Sequence, residues 1–144
     1  MMRKGLVGSL ALDTSSLLEL LFSTPHGIKL KEALKSEEAH GNVSTISIAE
    51  LKYVLCRKLG VEEATIRVRS LLESGYVVMH DDSELVEYAA EYKCRRRLSL
   101  ADCFTLALAR KINIPALFAR REEELVKEAS REPFDVEILF LEDF

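Results

Sequence analysis

The sequence predicts a three-layer α/β domain, a parallel sheet covered by helices on both faces. Three observations carry this. Short apolar runs alternate with stretches of helical period along the whole chain, and that alternation builds parallel strands through right-handed crossovers. Several runs end abruptly in residues that start helices, as Leu6–Leu12 ends in Asp13-Thr14-Ser15-Ser16. The composition, 48% hydrophobic and 31% charged over 144 residues, is that of one packed domain spanning 1–144.

The first strand is Leu6–Leu12, followed by a helix from Asp13–Ser16 through Phe22. Thr24 is placed as an N-cap with Pro25 at the first helical position, so a second helix runs to about Ser36. Glu37–Gly41 reads as a polar loop and Asn42–Ile46 as the second strand. Ser47 to Glu50 opens a helix in capping-box form, with Leu51, Val54, Leu55 and Leu59 as its buried stripe and Gly60 at its end. Val61–Ser74 is amphipathic, turning Ala64, Val68, Leu71 and Leu72 inward, and Tyr76–His80 is the third strand. Asp81-Asp82-Ser83 starts a helix that runs to Cys94. Ser99 caps the next helix, and Leu100, Ala101, Phe104, Ala107 and Leu108 recur on it at helical spacing. Arg110 and Lys111 suit its C-terminal dipole, and Pro115 stops it. Ala116–Ala119 is a strand, Arg121–Ser130 a short charged helix, and Val136–Phe140 the last strand.

Some function classes fall away early. A net charge of −4 argues against a general nucleic-acid coat, although local basic patches remain compatible with it. Cys56, Cys94 and Cys103 are odd in number and lack CxxC spacing, so they read as free thiols in a reducing compartment. His26, His40 and His80 have no ligand spacing. The charged start Met1–Gly5 is followed by a run too short to span a bilayer, and the expected location is the cytoplasm, with no membrane partner.

Three acids stand in apolar surroundings. Asp13 follows the first strand directly, Glu50 is expected in the first turn of the helix after the second, and Asp102 in the first turn of the helix before the fourth. Each alone reads as a cap. Together they belong to the edge of the sheet where α/β folds bind ligands. Carboxylates gathered there repel one another unless a cation joins them, and oxygen donors of this kind suit Mg²⁺ or Mn²⁺.

The segments Ala11-Leu12-Asp13-Thr14-Ser15, Ile48-Ala49-Glu50-Leu51 and Leu98-Ser99-Leu100-Ala101-Asp102 resemble the signature of PIN-domain nucleases, including the VapC toxins of toxin–antitoxin pairs. The resemblance extends over almost the whole chain. It implies a parallel sheet of about five strands, an acidic pocket for one or two divalent metals, and metal-dependent hydrolysis of RNA phosphodiesters. Asp13, Glu50 and Asp102 match the first three acids of the family, which implies catalytic and metal-binding roles for them. Thr14 or Ser15, and Ser99, match its neighbouring hydroxyls. The resemblance also implies an RNA substrate, a cognate antitoxin and a homodimer. In one respect the sequence departs from the pattern. Where the family commonly carries a fourth acid in a phrase like Thr-x-Asp, Phe118 takes the Thr position and Arg120 the Asp position. Glu122 and Glu123, just beyond, are expected to face solvent on the short helix.

Arg95-Arg96-Arg97 precedes the third acidic segment and offers guanidinium groups to an RNA backbone that the acids would repel; Arg120 and Arg121 are placed to do so from the other side. Two further readings compete with the nuclease. A PIN scaffold with impaired catalysis would act by binding RNA or a protein, in keeping with Arg120. A phosphoacceptor domain using Asp13 would give Glu50 and Asp102 no shared task.

Overall fold

The computed structural model describes residues 5–144; the charged start at residues 1–4 lies outside them. Five strands form one sheet in the order β3-β2-β1-β4-β5, every pairing parallel. They are β1 (Gly8–Leu12), β2 (Ala39–Ser44), β3 (Val77–His80), β4 (Ala116–Phe118) and β5 (Ile138–Phe140). The helices are α1 (Thr14–Leu21), α2 (Pro25–Lys35), α3 (Thr45–Leu59), α4 (Val61–Glu73), α5 (Val86–Arg95), α6 (Leu100–Ile112) and α7 (Glu123–Arg131). Among the described residues, no helix is long and apolar enough to cross a membrane.

Alternation along the strands makes the three layers. Leu10 and Leu12 of β1 enter a core with Leu17, Leu30, Leu51, Leu55 and Leu71 from α1 to α4. Ala11, between them, faces a second core with Tyr92, Phe104, Leu108 and Leu125 from α5 to α7. β4 repeats the pattern, with Leu117 on the first side and Ala116 and Phe118 on the second. Strands buried on both faces explain why these runs are apolar throughout.

Several boundaries differ from the sequence reading. β2 begins at Ala39, because residues of the expected polar loop pair with β1 in the register Gly8↔Ala39 to Ala11↔Asn42. Gly41 lies inside this strand, where an added Cβ would stand 2.7 Å from the Tyr76 carbonyl oxygen and 2.9 Å from Val77 Cγ1. A glycine that reads as loop punctuation therefore serves close packing of β2 against β3. β2 ends at Ser44, whose hydroxyl caps α3 by accepting from Ser47 N at 3.1 Å. The helix starts at Thr45, so Glu50 lies in its second turn and is not a capping-box acid.

The expected helix from Asp81 is divided into a 3-10 turn at Asp82–Glu84 and α5. β4 stops at Phe118 because the next amide, Ala119 N, donates to Ser15 Oγ at 3.0 Å and leaves the ladder. α7 begins at Glu123, since Arg121 N is taken by a Glu142 carboxylate oxygen.

Candidate active site

The sheet order reverses around β1. The chain moves outward from β1 to β2 and β3, then returns to the other flank of β1 with β4 and β5. The crevice beyond the carboxyl ends of β1 and β4 is the place where such sheets bind ligands. Asp13 ends β1 there, and the loop at residues 119–122 ends β4.

A cleft of about 370 Å³ occupies this place, lined by Asp13, Thr14, Ser15, Leu18, Glu50, Val54, Ser99, Asp102, Glu122 and Glu124. The structure thus gathers all three acids of the sequence reading around one cleft, each from a different element. It adds Glu122, which the sequence places in solvent. Glu122 is the N-cap residue of α7 and makes no side-chain capping bond. Glu123 does face outward, pairing with Lys127 at 2.7 Å. The spacing of a short charged helix carries no sign of which glutamate faces the cleft; that follows from the turn before α7.

Asp13 is buried and firmly held. Its Oδ2 accepts from Ser15 N at 3.0 Å, as an N-cap does, and from Ser15 Oγ at 2.7 Å. Its Oδ1 accepts from Thr105 Oγ1 of α6 at 3.3 Å. Thr105 lies one turn beyond Asp102, and its hydroxyl is also 3.4 Å from that of Ser47 on α3. Nothing in the sequence marks Thr105 or Ser47, because hydroxyls inside a helical pattern read as neutral filler. Thr14, expected among the orienting hydroxyls, donates instead to the Ser47 carbonyl at 3.3 Å and ties α1 to α3. Ser99 caps α6, its Oγ accepting from Asp102 N at 3.1 Å.

The cleft is electrostatically strained. The Asp102 carboxyl is pushed up to about 8, first by burial, then by the charge of Asp13 and a hydrogen bond with it, then by Glu122; only the Ser99 hydroxyl opposes the shift. Glu122 is raised too, by burial, by Asp13, and by Glu124 and Glu50, against the opposing charge of Arg120. Carboxylates without a thiolate or imidazole among them are a donor set for a hard divalent cation. Among the described residues, however, no three His, Cys, Asp or Glu side chains are gathered into a group able to hold a metal ion as they stand. The four acids line the cleft without closing on one point, as mutual repulsion requires of uncompensated carboxylates.

The arginines separate sharply. Arg95 and Arg97 are exposed. Arg96 is buried, which corrects its place among the RNA-facing residues. Its guanidinium donates to the carbonyls of Glu128 (3.1 Å), Glu132 (2.5 Å) and Pro133 (3.0 Å) and lies over the Phe134 ring at 4.0 Å. Arg121 is bound in a fork by Asp143, at 2.6 and 2.5 Å. Arg120 is exposed and does not line the cleft.

Comparison with known proteins agrees with this geometry. Among curated sequences none matches the chain significantly. Solved structures share its fold. VapC20 of Mycobacterium tuberculosis, described as a sarcin-ricin loop cleaving toxin, is 24% identical, with 75% of this chain and 86% of that one covered at a TM-score of 0.61. VapBC2 of Rickettsia felis, bound to a promoter DNA fragment, is 15% identical over 93% and 98% of the two chains at 0.69. DNA-bound VapBC of Salmonella typhimurium is 16% identical over 94% and 98% at 0.66. The PIN domain model matches residues 10–135, a span that contains Asp13, Glu50, Asp102 and Glu122. With its acids collected at the reversal point of a five-stranded parallel sheet, the chain belongs to the PIN domain family.

Proposed function

We propose that the chain is a metal-dependent endoribonuclease acting as the toxin of a toxin–antitoxin pair. The observation that carries this reading is the shared cleft: carboxylates from β1, α3 and α6 surround one space and push Asp102 up to about 8. Buried repulsion of this kind is tolerated where a cation relieves it. Asp13, Glu50 and Asp102 would hold Mg²⁺ or Mn²⁺, which when bound supplies charge for the phosphoryl group and lowers the pKa of attacking water. Ser15 and Thr105 keep Asp13 aimed into the cleft through the bonds at 2.7 and 3.3 Å. Arg95 and Arg97, at the approach to Ser99 and α6, offer cations to the RNA backbone. A cognate antitoxin and a second copy of the chain are the partners of this reading.

A second reading keeps the scaffold and drops the chemistry: the chain binds RNA or a protein without cutting. It is favoured by the absence, among the described residues, of any acidic group already drawn together to hold a metal, and by Arg120 at the position of the family's fourth acid. One experiment separates the two. A mixed RNA pool is incubated with Mn²⁺, with Mg²⁺ and with chelator, beside a double Asp13→Asn, Asp102→Asn variant. The nuclease reading expects cleavage that chelator and the variant both abolish. RNA retention without metal-dependent cleavage would establish the scaffold.

A further inference from the structure

We propose that Glu122 supplies a fourth carboxylate to the acid cleft and that Arg121, held by Glu142 and Asp143, positions it. This rests on the metal-binding reading above.

The sequence offers no acid at the family's position, since Arg120 stands there. The structure offers one two residues later. Glu122 lines the cleft with Asp13, Glu50 and Asp102. Its side chain is not spent on capping α7. Its amide donates to the Arg120 carbonyl at 2.9 Å, so the chain folds tightly at Arg121. That turn exposes Arg120 and brings Glu122 back to the cleft.

The turn is held from both sides. On the inner side, Ala119 N donates to Ser15 Oγ at 3.0 Å, and the same hydroxyl donates to Asp13 at 2.7 Å. The start of the loop is therefore fixed to the first acid of the cleft. On the outer side, the 3-10 turn at Leu141–Asp143 grips the loop. Glu142 N donates to the Ala119 carbonyl at 3.0 Å, and a Glu142 carboxylate oxygen accepts from Arg121 N at 2.5 Å. The Arg121 guanidinium is forked onto Asp143 and lies over the Phe140 ring at 4.7 Å. A bidentate guanidinium–carboxylate pair fixes orientation as well as distance. Arg121 is thus a positioning residue for Glu122.

The test is a calorimetric Mn²⁺ titration of the full chain, with Asp102→Asn as control. Glu122→Gln keeps the shape and removes the charge. Arg121→Ala opens the clamp, and Arg121→Lys keeps its charge without the fork, so the result does not hinge on one variant folding. We expect Glu122→Gln and Arg121→Ala each to weaken Mn²⁺ binding about tenfold, as removal of a ligand or of its support does. The double variant should bind no more weakly than Glu122→Gln alone, because Arg121 acts through that carboxylate. Arg121→Lys should fall between wild type and Arg121→Ala. Unchanged affinity in Glu122→Gln, beside weakened binding in Asp102→Asn, overturns the fourth acid and leaves the three-acid metal site standing. Effects that add in the double variant overturn the positioning role. A wild type that binds no Mn²⁺ overturns the metal reading and this inference with it.

Discussion

Two regions of this protein bury charge, and they do so in opposite ways. Around Arg96, every demand of the guanidinium is met: three backbone carbonyls accept from it, the Phe134 ring stacks beneath it, and the Glu128 carboxylate lies 3.9 Å away, itself bound to Arg131 at 2.8 Å. In the acid cleft, Asp13, Asp102, Glu50 and Glu122 have hydroxyls, amides and one another, but no cation among the residues that line it. The same chain that completes one buried charge leaves the other open. The first arrangement joins α5 to α7 and needs nothing from outside. The second is organised for something the chain does not contain.

The contrast breaks most visibly at Arg96. Arg96→Ala strands the Glu128 carboxylate and three carbonyls, and should destabilise the protein by about 3 kcal/mol or more, read by denaturant melting. A destabilisation under about 0.5 kcal/mol, the range of an ordinary surface substitution, would place Arg96 on the surface after all.

The cleft should respond with the opposite sign. Asp102 is raised from 3.8 to about 8 in the folded chain. Its neutral form therefore favours folding fully below the unfolded pKa, and that stability is lost as pH rises through 8. Metal-free protein should lose stability between about pH 4 and 8, with a slope of at most about 1.4 kcal/mol per pH unit from this group. Asp102→Asn should flatten the slope and raise metal-free stability at pH 8. Mn²⁺ should restore stability at pH 8 to the wild type but not to the variant. A wild-type profile that rises over this range would show that the carboxylates do not burden one another.

The smallest effect belongs to the exposed arginines. Arg95→Ala with Arg97→Ala should leave melting unchanged. On single-stranded RNA it should reduce the salt slope of binding by roughly 0.7 for each phosphate no longer paired with a guanidinium. An unchanged slope would return both residues to solvent.

How much of this was legible in the sequence depends on the range of the interaction that decides it. Ser99 before an apolar helical stripe, Thr24-Pro25 ahead of α2, and apolar runs meeting capping residues are local signals, and each element they mark is present. They sufficed for the parallel three-layer fold, because a strand apolar on both faces must be covered on both. They also singled out Asp13, Glu50 and Asp102, whose segments match the family pattern.

What only the tertiary structure decided lies where a backbone group or a charge finds a partner far along the chain. Ser44 caps α3 and moves Glu50 into the second turn. Gly41 joins β2 because Val77 and the Tyr76 carbonyl leave no room for a side chain. Arg96 and Arg97 are adjacent in one basic run, yet the α5–α7 packing buries the first and exposes the second. Glu122 and Glu123 are adjacent and chemically identical. A loop held by Ser15, more than a hundred positions earlier, and by the turn at Leu141–Asp143 puts only the first at the cleft. Periodicity reports which face of an element is apolar. It carries no information about which distant donor will take a given carbonyl or carboxylate, and in this protein those bonds set the edge of the site.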